Sequence, residues 1–126
     1  MKMIKKISIA ALGLVSLNAS ASISYDKHEL VRNLNRVIKE VQDLNRYEAP
    51  ENCKWHVKKT SSHVYKARKY VFDDDVLNLK QQLVLADKSL EDLKYEGNEC
   101  DRILFESEKP SHMIQLVLEQ IEHQKP

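Results

Sequence analysis

Glycine is almost missing from this 126-residue chain: there are two, Gly13 and Gly97. Loops that cradle phosphate need glycines so that backbone N–H groups can approach the ligand, and that chemistry is excluded in any familiar form. No Gly-x-Ser-x-Gly elbow, no His-Glu-x-x-His and no Cys-x-x-Cys-His occurs. Carboxylates are plentiful, but they alternate with lysines on what read as solvated helix faces. A catalytic pair needs one carboxylate raised in pKa within a cleft, and nothing marks one. The reading is of a protein that is not an enzyme, needs no cofactor and binds no metal.

Long apolar runs are scarce too. The one clear run, Ile7–Leu17, follows Lys2, Lys5 and Lys6 and precedes Ala19-Ser20-Ala21. That order of charged, apolar and small residues is a secretory signal, with residues 1–21 as a cleaved leader. The run is shorter than the roughly 20 residues that cross a bilayer. The mature chain, 22–126, then reads as one periplasmic domain with no membrane span. It carries 17 Lys and Arg against 19 Asp and Glu, a formal charge of −2. By bulk charge it is no nucleic-acid binder. The only two cysteines, Cys53 and Cys100, fall in the mature part, and an oxidising compartment pairs them as a disulfide.

With few breakers, long periodic segments remain. Leu30, Leu34, Val37, Val41 and Leu44 repeat at four and three over 26–47, with Asp26 and Glu29 as an N-terminal capping pair. A weaker stripe, Cys53, Val57, Thr60, Val64, Ala67 and Val71, marks a second helix over 51–72. Asp73-Asp74-Asp75 interrupts the phase and favours a break, with Phe72 stapled onto Leu77, over one long bent helix. The third helix, 74–95, has the cleanest stripe (Val76, Leu79, Leu83, Ala86, Leu90, Leu93) and is stopped by Gly97. Leu77, Val84 and Leu85 lie off that stripe and read first as core against another helix, second as a surface for a second copy of the chain. Residues 98–107 form a short fifth helix or a packed loop, and a last helix opens at Pro110. The fold expected is all-α, a small antiparallel up-down bundle of four helices with a possible short fifth. In that topology the start of helix two lies beside the end of helix three, which is where Cys53 and Cys100 stand.

Candidate binding residues follow from helical geometry. Trp55, the single tryptophan, points roughly 150° from the apolar centre of its helix. Tyr65 also points away from that stripe, Tyr70 lies at its edge and His63 is nearby. An outward Trp suits an anchor for a protein partner, or else covers the stretch around Phe105. His56 and His63, two turns apart at about 10 Å, are too distant to share a metal ion. They read as boundary histidines.

The two ends of the mature chain resemble the cytochrome b562 family of periplasmic four-helix haem proteins. His123-Gln124-Lys125 is similar to the family's ending around its histidine ligand, and His28 stands where the family places a methionine. The likeness covers about ten residues at each end, and Glu122 replaces the tyrosine expected before the histidine. It implies haem b held by His28 and His123, and electron transfer as the alternative function. At 100° per residue, however, His28 points roughly 140°, and His123 roughly 150°, away from their stripes, whereas bundle haem ligands face inward. The preferred expectation is a periplasmic protein that binds another protein, as an immunity protein, an inhibitor or an envelope chaperone. Its partner is unidentified, and a homodimer is one candidate.

Overall fold

The computed structural model describes residues 26–123. The expected leader, 1–21, lies outside the described residues. Five helices and no strand are found among the described residues. α1 is Lys27–Asp43, continued by a 3₁₀ turn at Leu44–Arg46. α2 is Glu51–Phe72 and α3 is Val76–Glu91, continued by a 3₁₀ turn at Asp92–Tyr95. A further 3₁₀ turn, Asn98–Cys100, leads into α4, Asp101–Glu106, and α5 is Glu108–His123.

Pairs between helices give the topology. Asn35 meets Arg68 and Gln42 meets Tyr65, so α1 and α2 run antiparallel. His63 bonds Gln82 between α2 and α3. Lys80 pairs with Glu122, and Asp87 accepts from Gln115, so α3 and α5 are antiparallel. Asn33 with Gln120 and Lys109 with Glu40 close the ring between α1 and α5. The result is the up-down bundle expected from the short connections, with α4 capping one end.

The core is the set of periodic stripes turned inward. Leu30, Leu34 and Val37 from α1 and Val57 and Val64 from α2 are fully buried. So are Leu79 and Leu83 from α3 and Ile114 from α5. Cys53 and Cys100 are joined, Cα to Cα 5.5 Å, which ties the start of α2 to the turn before α4. Closing the loop between cysteines 47 residues apart is worth roughly 4 kcal/mol against the unfolded chain.

Local chemistry sets the ends. The Asp26 carboxylate accepts from the backbone N–H groups of His28 and Glu29. The helix does break at the three aspartates. Asp74 takes a left-handed φ of 57°, and Asp75 caps α3 by accepting from the Asn78 N–H. This register overturns the staple: with Asp75 as cap the packing position is Leu79, while Phe72 and Leu77 are both exposed. Gly97 is not the left-handed stop directly after a helix. It follows the 3₁₀ turn with φ 99° and ψ −179°, a region essentially reserved for glycine. A Cβ there would also come within 2.7 Å of the Glu99 carboxylate. Pro110 lies at the third position of α5 rather than the first, where its missing N–H still costs no helical bond.

Leu77 and Val84 are corrected as well. They are 78% and 54% exposed, and Leu85 is half-buried. In a ring of four helices α2 and α5 flank α3, and among the described residues no element covers its outward side.

Candidate interaction face

Trp55 lies in the second turn of α2, 54% exposed. Its ring stands edge-on to His56 at 5.0 Å, and the Lys59 ammonium sits over it at 4.8 Å. Phe105 is itself exposed, so Trp55 and Phe105 do not form a buried cluster. Ten residues on, Tyr65 is 42% exposed at the α1 edge of α2. Gln42 donates to its hydroxyl, and the Arg68 guanidinium lies 4.9 Å from its ring centre. Arg68 also donates to the Asn35 side-chain oxygen at 2.8 Å. The aromatic and the guanidinium are thus held in place across the α1–α2 seam before anything binds.

The other two candidates turn elsewhere. His63 is half-buried against α3, donating to Gln82 at 2.8 Å, and Tyr70 packs on the core. The structure brings Trp55 and Tyr65 onto one outward face and leaves His63 and Tyr70 off it.

His56 is more enclosed than a boundary histidine, at 6% exposure. Its Nε2 lies 2.8 Å from Glu96, whose other oxygen accepts from Asn52. Asn52 and then His56 hold the Glu96 carboxyl below the usual carboxylate range. This cluster adjoins the disulfide, with the Asn52 amide 4.0 Å from the Cys100 sulfur, at the base from which Trp55 projects.

Charge is where sequence reading missed the site. Residues 26–72 carry eleven Lys and Arg against six Asp and Glu, a formal +5. Residues 73–123 carry five against thirteen, a formal −8. The first set builds the α1–α2 layer of the bundle and the second the α3–α5 layer. Among the described residues, Lys54, Lys58, Lys59, Lys66, Arg68 and Lys69 of α2 have no carboxylate within ion-pair distance. Nor have Arg32, Arg36, Lys39 and Arg46 on the α1 side. Every Lys and Arg of the α3–α5 layer is paired with an acid. Charge counted by helical hairpin rather than over the whole chain would have found this face.

The haem alternative places its ligands at exposed positions. His28 and His123 are both solvent-exposed, and His123 Nδ1 donates to the Glu119 carbonyl of its own helix. The groove between α1 and α5, of about 190 Å³, is lined by Val37, Met113, Leu116 and Val117 with Asn33, Arg36 and Gln120, and includes neither histidine. The two imidazoles are not brought together on an interior site.

No protein-family model, no curated protein and no solved structure matches this chain.

Proposed function

We propose that the chain is an exported, non-catalytic binding protein that acts in the periplasm on another protein, in the manner of an inhibitor or an immunity protein. The observation that carries this is Trp55: the only tryptophan, half exposed, on a helix whose start is locked by the Cys53–Cys100 bridge. A large ring on a rigid base presents contact area at little entropic cost, and tryptophan is the residue most enriched among binding hot spots. Tyr65 and Arg68, already fixed against α1, extend the same face. An envelope chaperone would instead need a broad apolar surface, and on the face that carries Trp55 the outward positions 58, 62, 66 and 69 are Lys, Ser, Lys and Lys.

The test is capture from a periplasmic extract with wild type and with Trp55→Ala, quantified by mass spectrometry. Loss of a hot spot of about 2 kcal/mol corresponds to a roughly 30-fold weaker complex. The melting temperature should stay close to wild type because the ring is exposed. Equal recovery of every captured protein by the two forms would remove Trp55 as an anchor.

A further inference from the structure

Resting on that reading of the α2 face, we infer that the partner is an acidic protein surface, received by the α1–α2 layer and kept off the α3–α5 layer. The argument starts from segregation. Six carboxylates lie in the α1–α2 layer, yet ten of its eleven cations have none within ion-pair distance among the described residues. On the opposite layer all five cations are paired. Unneutralised like charges on adjacent positions repel each other and weaken the fold slightly. A surface that keeps them is complementary to an opposite field supplied from outside.

The arrangement of the groups selects a protein among anionic partners. Arg68 has one N–H bonded to Asn35 and its guanidinium carbon 4.9 Å from the Tyr65 ring centre, and these two contacts restrain the direction of its remaining donors. A restrained guanidinium fits the planar, two-oxygen carboxylate of Asp or Glu. A bilayer surface would require apolar side chains free to enter the headgroup boundary. Here the Lys59 ammonium lies over one face of the Trp55 ring, Tyr65 is tied at its hydroxyl, and outward positions 58, 62 and 66 between Trp55 and Lys69 are Lys, Ser and Lys. Trp55 and Lys69 are 14 residues apart, about 21 Å along the helix. That span suits one acidic helix or strand edge laid along the seam. The −8 layer behind repels the same partner, so the field both attracts and orients.

The experiment places a photo-crosslinking residue at Ser62, the exposed centre of the face, in the exported, disulfide-bonded protein. It compares four backgrounds: unchanged, Trp55→Ala, K58E/K66E/K69E, and the charge-matched control K88E/K94E/K109E, three exposed lysines of the other layer. The expected result is one adducted protein with an acidic surface. Its yield should fall tenfold or more in the lysine-to-glutamate triple variant and with added salt, and stay level in the control. An adduct lost in Trp55→Ala but kept in the triple variant overturns the acidic partner while sparing the binding reading. No protein adduct in any background overturns both. In parallel, purified protein is mixed with phosphatidylglycerol vesicles and with an oligodeoxynucleotide. An adduct that is lipid or nucleic acid, together with retention of the protein on that probe, overturns the inference in favour of a membrane or a nucleic acid.

Discussion

Glu96 shows how one side chain couples solution conditions to the bundle end. Its carboxyl accepts from Asn52 and lies against His56, and it is held below the ordinary carboxylate range. A depressed folded value means the ionised form is favoured by the native state. The stability it contributes is therefore present above the unfolded carboxylate pKa and is lost as pH falls through the lower folded value. Thermal melts from pH 7 to pH 3 should show Glu96→Gln less stable than wild type at neutral pH and the gap closing on acidification. A gap that stays constant with pH would mean the carboxyl charge is not involved. Nothing in the spacing of the sequence singled out Glu96, because its partners are 40 and 44 residues away. Trp55 and Tyr65 were legible, since helical phase alone sets a side chain inside or outside. His63 and Tyr70 were read at the stripe's edge and are half-buried there, but which helix they face depends on the neighbour beside them.

At the level of elements, stripe periodicity located the long helices to within a few residues, and the α2 boundaries agree with the expected span. Ends were harder. The three aspartates offered three cap registers, and the two-residue shift from Asp73 to Asp75 moves the staple position from Leu77 to Leu79. The choice of Asp75 rests on a bidentate arrangement, one oxygen to the Asn78 N–H and the other to its side-chain amide. Asp75→Ala should cost about 1 kcal/mol, as cap removal typically does. Asp73→Ala, at an exposed position without that cap role, should cost markedly less in the same denaturant titration. Equal losses would place the helix start elsewhere. Leu77 and Val84 could not be assigned from pattern, since an apolar residue off the main stripe is core only if a further helix covers it. Among the described residues α3 has neighbours on two sides and none over Leu77 and Val84 on the third.

For the molecule as a whole, fold and disulfide were readable because they constrain each other: up-down topology brings residues 53 and 100 to one end, and the bridge ties that end. The proposed interaction face was hidden by addition. A net charge near zero suggested a surface of mixed signs, whereas the two hairpins hold their charges apart as +5 and −8. Summation over a chain discards the geometry that matters for recognition, and only the pairing of hairpins into layers restores it.

That separation has a practical consequence at the purification bench. A sphere of evenly mixed charge with this composition would flow through ion-exchange media near neutral pH. This bundle should be retained at low ionic strength by sulfonate beads through one side and by quaternary-amine beads through the other. Both should release it at modest salt, the screening length shrinking to about 10 Å at 0.1 M. Passage through either resin unretarded would mean the two poles are not exposed as described.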